Sequence, residues 1–372
     1  MTQTLQLEKT LGLRIEGGPL HFVVVGAGGT GGHLLPNLIR MIGIKNDSSP
    51  MKHSISIIDA DVVEEKNLLR QNFTNSDIGK NKAEVMAKRY GRAFGVPVSH
   101  IPEYVTSPQE LIDMIASSYR LSRNFEILDS NFTEDEREDY TYFRTGDLPP
   151  RYGRLVLIDA TDNNKTRLIM ETVLEKWCGS AFLISSGNEE MAGQVIISHH
   201  NNNTDLITER ALDNASGLFS YGLWNTPTFF DVFPQAPVEK LPNELSCAEA
   251  SVSAPQNILT NITAANIIMN YCNKLLNNMP ITNLAVFFDT ENMGQKTYRF
   301  NKSGLVDLLS IQSSNDQAKK FLKKKTVEEF FSEEGLAVKP TWEEVQAKYL
   351  EEKKQEAERV QAIIHGNVPA EM

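Results

Sequence analysis

A short β-branched run from His21 to Val25 leads into Gly26-Ala27-Gly28-Gly29-Thr30-Gly31-Gly32, and a helical spacing of Leu34, Leu35, Leu38, Ile39 and Ile42 follows. Strand, glycine turn and helix in this order leave few folds open. The spacing Gly26-x-Gly28-x-x-Gly31 lets the backbone come close to a phosphate and places it at the positive end of the next helix. A second strand, Ser54 to Ile58, ends at Asp59 and completes a right-handed βαβ unit with its loops at the strand C-termini. The alternation continues with a helix over Lys82 to Tyr90, a strand over Pro97 to Ile101 and a helix over Pro108 to Ser118. Leu155 to Ile158 reads as another strand, delivering Asp159 and Asp162 to a loop before a helix from about Lys165 to Trp177. Strands over Phe182 to Ser185, Gly193 to Ser198 and Leu284 to Asp289, with a long helix over Ala254 to Leu276, complete an α/β pattern.

Three segments depart from that pattern. An acidic, turn-rich stretch at about 120–153 reads as a surface insertion. The stretch 199–243, rich in Asn, Pro and aromatics, reads as a lid, a crossing loop or a dimer contact, because Phe219, Tyr221, Trp224, Phe229 and Phe230 need somewhere to pack. Beyond about residue 300 the chain turns highly charged, and the capping-box spacings Thr326 with Glu329 and Thr341 with Glu344 predict two helices there. The expected organisation is an N-terminal segment 1–19, a nucleotide-binding domain 20–300 and a charged helical extension 301–372.

Charge removes whole classes of function. With 37 Lys plus Arg against 48 Asp plus Glu, the net charge of -11 repels nucleic-acid backbones and anionic membranes. No apolar run approaches the length of a membrane span, and the first residues lack the basic and apolar regions of an export signal, so a cytoplasmic protein is expected. Cys178, Cys247 and Cys272 are the only cysteines, too few and too scattered for a disulfide framework or a paired-CxxC zinc site.

The glycine turn alone does not distinguish a dinucleotide from ATP. The residues after the second strand bear on that choice. Asp59 is placed to accept from ribose hydroxyls, and Asn67, Arg70 and Gln71 supply an amide, a guanidinium and a second amide, with Lys82 following at a helix start. A dehydrogenase needs few cations, whereas cleavage of a triphosphate needs its charge neutralised, so Arg70 and Lys82 point to ATP. The alternatives are an Arg70 paired with Glu64 or Glu65 and a merely solvated Lys82. Asp162 is either a Mg²⁺ ligand, the N-cap of the next helix, or both.

Taken together, Gly26-x-Gly28-Gly29-x-Gly31, Asp59-x-Asp61-x-Val63, Asn67-Leu-x-Arg70-Gln71-x-Phe73, Ile78-Gly79-x-x-Lys82-Ala83 and Asp159-Ala-x-Asp162-Asn163 resemble the ordered signatures of the ThiF/MoeB/HesA family, the bacterial relatives of ubiquitin-activating enzymes. The resemblance implies a Rossmann-like mixed β-sheet flanked by helices, an adenylation domain that binds ATP and Mg²⁺. It implies that Asp59 holds the ribose, that Asn67, Arg70 and Lys82 contact the phosphates, that Asp162 binds Mg²⁺, and that Gln71 and Asn163 belong to the same nucleotide site. It further implies that the C-terminal carboxylate of a ubiquitin-like or sulfur-carrier protein attacks the α-phosphate, and that the enzyme is a homodimer.

A later segment, Ser246-Cys247-Ala248-Glu249-Ala250 through Pro255, is similar to the family region in which a cysteine precedes a proline-started helix. In some members that cysteine accepts the activated acyl group, and a thiolate near a helix N-terminus suits that role. Cys247 is thus either catalytic or a structural thiol, while Cys178 and Cys272 lie on apolar helical faces as buried thiols. The zinc-binding CxxC pairs and the arginine element before the glycine turn that some members carry have no counterpart here, so zinc is not expected. In these departures the chain looks more like the divergent ThiF-type proteins of plasmid and phage modules, such as the PRTRC group. The rival functions are a NAD-dependent oxidoreductase on the same turn, which would not need Arg70 or Lys82, and a non-catalytic nucleotide-binding scaffold.

Overall fold

The computed structural model describes residues 11–12, 19–49, 52–123, 154–177, 180–201, 212–213, 218–220, 226–233, 236, 240–241, 257–309 and 311. The chain divides into a unit of Met1–Asn315 and a unit of Asp316–Met372, and the second lies outside the described residues, as do Cys178, Cys247 and the acidic stretch 124–153.

Eight strands form the main sheet: β1 (Leu20–Val25), β2 (Ser54–Ile58), β3 (Val98–Ile101), β4 (Arg154–Asp159), β5 (Ser180–Asn188), β6 (Ala192–Asn201), β7 (Asn283–Asp289) and β8 (Gly294–Arg299). Their spatial order is β8-β7-β6-β5-β4-β1-β2-β3. From β3 to β5 all neighbours are parallel, while β5, β6, β7 and β8 pair antiparallel, giving the mixed sheet expected from sequence. Three short strands, Leu11–Gly12, Leu212–Asp213 and Leu218–Ser220, make a separate small sheet.

Composition explains why β1, in the middle of the parallel run, is covered on both faces. All six residues of β1 are buried, as a strand covered on both faces requires. By the two-residue alternation, Val23 and Val25 join a core with Leu111, Ile115, Leu157, Ile169, Val173 and Leu183. Leu111 and Ile115 come from α3 (Pro108–Arg123), and Ile169 and Val173 from α4 (Asn164–Lys176). The helix α1 (Gly29–Ser48) buries Leu34, Leu35, Leu38, Ile39 and Ile42, the stripe its spacing predicted. Each such side chain is worth roughly 1.5–3 kcal/mol when fully buried. His21 sits on the α3 side, its Nδ1 2.7 Å from Ser54 Oγ, and burial pushes its imidazole down to about 3, so it stays neutral.

The helix α2 (Lys82–Phe94) is capped by Asn81, whose side chain accepts from the Glu84 N–H, and ends at Gly95 in the left-handed conformation. Four further differences from the sequence reading have plain causes. The strand expected to stop at Ser198 runs on to Asn201, because Ser180, Ala181 and Phe182 pair with Asn201, His200 and His199 across the β5–β6 hairpin. Inside the stretch read as irregular, α5 (Phe229–Val232) forms with a reciprocal Thr228–Asp231 capping box. The helix expected to span Ala254 to Leu276 is described as α6 (Ile258–Leu276), capped by Asn257. Finally, β8, a strand absent from the sequence reading, forms because Asn283–Asp289 pairs antiparallel with it across a tight turn, and α7 (Lys302–Leu309) follows. Among the described residues no helix is long and apolar enough to cross a membrane.

Candidate functional site

The chain leaves β1 toward β2 on one side and returns to β4 on the other. The crevice beyond the C-terminal ends of β1 and β4 is therefore a topological switch point, where open α/β sheets bind ligands. Gly26 begins the turn there with φ +98° and donates its N–H to Ile58 O at 2.9 Å. A Cβ at Gly26 would lie 2.7 Å from the Ala160 carbonyl oxygen, and one at Gly31 would overlap the Gly26 carbonyl oxygen. The glycine turn and the loop after β4 are thus in direct backbone contact, which only glycine permits. Gly28 faces the Gln71 amide, with 3.6 Å from a built Cβ to Nε2, and Gly29 lies against the Asn261 carboxamide.

Asp59, just past β2, reaches under this turn. Its Oδ2 accepts from the Ala27 N–H at 2.6 Å and its Oδ1 from the Asp61 N–H at 2.8 Å. The residue is half-buried, yet its carboxyl is pushed up to about 6, chiefly by desolvation and then by Asp61, against the pull of Lys82 and the two N–H donors. Lys82, the first residue of α2, is buried and pairs with Asp61 at 2.8 Å rather than standing in solvent. Asn81 fastens the same corner, donating to Asp59 O at 2.7 Å and Asp61 O at 3.2 Å.

The segment after it folds as a tight knot. The buried Asn67 spends its side-chain oxygen on the Glu64 N–H at 2.8 Å, closing a capping box on the short 3₁₀ turn Glu65–Asn67. From that turn come Arg70 and Gln71, whose N–H groups both donate to Asn67 O. Lys66, not Arg70, takes Glu64, and Arg70 makes no ion pair among the described residues. Gln71 Oε1 is buried with no partner there, beside Gly28. Asn72 ties the knot to α1 by donating to Gly32 O at 3.3 Å.

The loop after β4 holds the third group. Asp159 is fully buried at the end of β4 rather than delivered to the loop. Its Oδ1 accepts from the N–H and hydroxyl of Thr161 at 3.0 and 2.7 Å, and its Oδ2 from Arg167 Nε at 2.7 Å. Asp162 is exposed. The N-cap of α4 is Asn163, which accepts from the Thr166 N–H at 2.9 Å and donates to Lys240 O at 2.7 Å, so capping does not fall to Asp162. Among the described residues no three His, Cys, Asp or Glu side chains converge as a metal cage. Asp162 is a single exposed carboxylate at this crevice, the kind of donor Mg²⁺ takes when phosphate and water fill its remaining positions. Cys272 is buried on α6, and burial pushes its thiol up, as an inert core cysteine requires.

Sequence reasoning missed two polar groups. Thr30, Asn188 and Asn261 meet beside the glycine turn: Asn188 Nδ2 donates to Thr30 Oγ1 at 2.7 Å and to Asn261 Oδ1 at 3.0 Å. The available signal was Asn261 sitting on the same helical stripe as the buried Ala264, Ala265 and Ile268. Glu171, on α4, is also buried, accepting from the Phe230 N–H at 3.1 Å. Desolvation pushes its carboxyl up to about 7; hydrogen bonds from Thr228 and the Phe230 N–H oppose this, and Asp231 adds to it. A carboxyl raised on folding costs stability as pH climbs from the ordinary value of 4.5 through 7, and the full cost is present above that. Replacing Glu171 by Gln should therefore shift relative stability toward the variant between pH 5 and pH 8, by on the order of 3 kcal/mol at most. Urea unfolding at the two pH values checks it.

Residues 18–121 match the family model described as ThiF family. No curated protein matches the chain. Among solved structures the chain resembles E. coli MccB with ATP at 13% identity, covering 76% of this chain and 64% of that one, with a TM-score of 0.45. It also resembles E. coli MccB with MccA at 15%, covering 78% and 66%, with a TM-score of 0.45. PaaA is similar at 15%, covering 76% and 64%, with a TM-score of 0.42. The chain thus spans about 64% of the length of the first of these structures. The matched stretch contains the glycine turn, Asp59, Arg70 and Lys82.

Proposed function

We propose that the protein is a MgATP-dependent adenylyltransferase that activates the C-terminal carboxylate of a ubiquitin-like or sulfur-carrier protein, working as a homodimer. The observation that carries this reading is the coincidence of the ThiF-matched stretch with the switch-point crevice, where Asp59 underpins the glycine turn and Asp61 holds Lys82. The glycine turn and the N-terminus of α1 hold the phosphates, Asp59 takes the ribose, and Arg70 and Lys82 offset charge on the departing groups. Asp162, with Asn163 beside it, would hold Mg²⁺, which supplies charge neutralisation on the phosphates. An oxygen of the substrate carboxylate attacks the α-phosphorus, forming an acyl-phosphate bond as the bond to the β-phosphate oxygen breaks and pyrophosphate leaves. In a second step the Cys247 thiolate attacks the acyl carbon, forming a thioester and releasing AMP.

ATP–pyrophosphate exchange with ubiquitin-like partners tests the first step. Carboxylate-dependent exchange, lost by at least about 100-fold in Asp162→Ala and kept in Cys247→Ala, is the expected result. Tight ATP binding without exchange for any partner would favour a scaffold instead. For the second step, a reducible conjugate should form with the wild type and be absent from Cys247→Ser.

A further inference from the structure

One face of α4 grips Phe229, Phe230 and Lys240. Asn163, Arg167 and Glu171 recur every four residues along that face. Asn163 donates to Lys240 O at 2.7 Å, the Arg167 guanidinium carbon lies 4.2 Å from the Phe229 ring centroid, and Glu171 accepts from the Phe230 N–H at 3.1 Å. Arg167 also reaches back to the sheet. Its Nε donates to Asp159 Oδ2 at 2.7 Å, its Nη2 donates to Ser186 O at 2.7 Å and Thr161 O at 3.4 Å, and its Nη1 donates to Asn164 Oδ1. Arg167 and Asp159 are 3% and 0% exposed, so this is no solvated ion pair.

The fork therefore fastens Asp159 and Thr161 on one side of Asp162 and Asn164 on the other. It also ties this turn to the end of β5 and, through Phe229, to the crossing stretch. A planar guanidinium can hold these acceptors at fixed angles, whereas an ammonium, a point charge on a flexible stem, cannot.

We propose that Arg167 is a positioning residue: it sets the 159–164 turn so that Asp162 meets nucleotide-bound Mg²⁺, with the Phe229 ring closing over the guanidinium. This rests on the nucleotide reading above. The test is calorimetric titration of the full chain with ATP in excess Mg²⁺ and with ATP in EDTA. Wild type should bind more tightly with the metal; failure to bind ATP in either condition would sink the nucleotide reading itself, and this proposal with it. Arg167→Lys keeps a positive charge against Asp159 but loses the fork. It should bind metal-free ATP as wild type does while its gain in affinity from Mg²⁺ falls by about 10-fold or more. A folded Arg167→Lys with the wild-type gain overturns the proposal. Should that variant not fold, Asn164→Ala, which removes the acceptor the Arg167 fork holds just past Asp162 and leaves the Asp159 ion pair, decides instead: a reduced Mg²⁺ gain supports the proposal, and an unchanged one overturns it.

Discussion

Gly31→Ala is expected to lose nucleotide binding and roughly 2–4 kcal/mol of stability, because its new methyl would overlap the Gly26 carbonyl oxygen in a turn that has no slack. Relief requires Gly26 to move, yet Gly26 is already held at φ +98° and pressed against Ala160. The strain therefore passes to the loop that carries Asp162. Gly28→Ala is the matched control: its methyl would meet only the far end of the Gln71 side chain, at 3.6 Å, so fold and stability should stay near wild type. Urea unfolding and ATP titration of the two variants make the comparison, and a Gly31→Ala protein that binds ATP normally would refute the reading of this turn as a phosphate cradle.

Lys82→Met should lower ATP–pyrophosphate exchange by about 10²–10³-fold, the usual cost of removing one well-placed donor from a developing charge. The substitution keeps the buried stem and removes only the ammonium. Its partner Asp61 is 48% exposed and returns to water, so stability should change by no more than about 1 kcal/mol. Catalytic loss without unfolding is the signature expected of a phosphate-contacting lysine; unchanged exchange would make the Asp61–Lys82 pair a purely structural corner. Arg70, which makes no ion pair among the described residues, offers the companion substitution.

Much of the site was legible because its parts lie on short, consecutive turns. Gly26 to Gly31, Asp59 and Lys82 follow strands or begin helices whose periodicity is plain, and a strand end in a parallel sheet has only one place to point. What escaped was the choice among chemically equivalent side chains. Asp162 and Asn163 are both good N-caps by composition, and the backbone geometry at the start of α4 gave the cap to Asn163. Asn67, an amide in a family motif, spends its oxygen on a local capping box. Arg167 stood eight residues after Asp159, and nothing local says that a helix will fold the guanidinium back onto that carboxylate.

From the amino-acid order alone come the α/β class, the order of most of the main-sheet elements and the glycine turn, since these depend on periodicities of two and 3.6 and on residues without a side chain. Tertiary structure alone decided which polar groups are spent on the fold and which remain for a ligand. Thr30, Asn188 and Asn261 arrive from α1, β5 and α6 to meet beside Gly29, and Lys82 is buried against Asp61 across the turn after β2. Burial is the reason: once water is removed, each donor must take whichever acceptor the packing brings within 3 Å or so, and that is set by the sheet order rather than by distance along the chain.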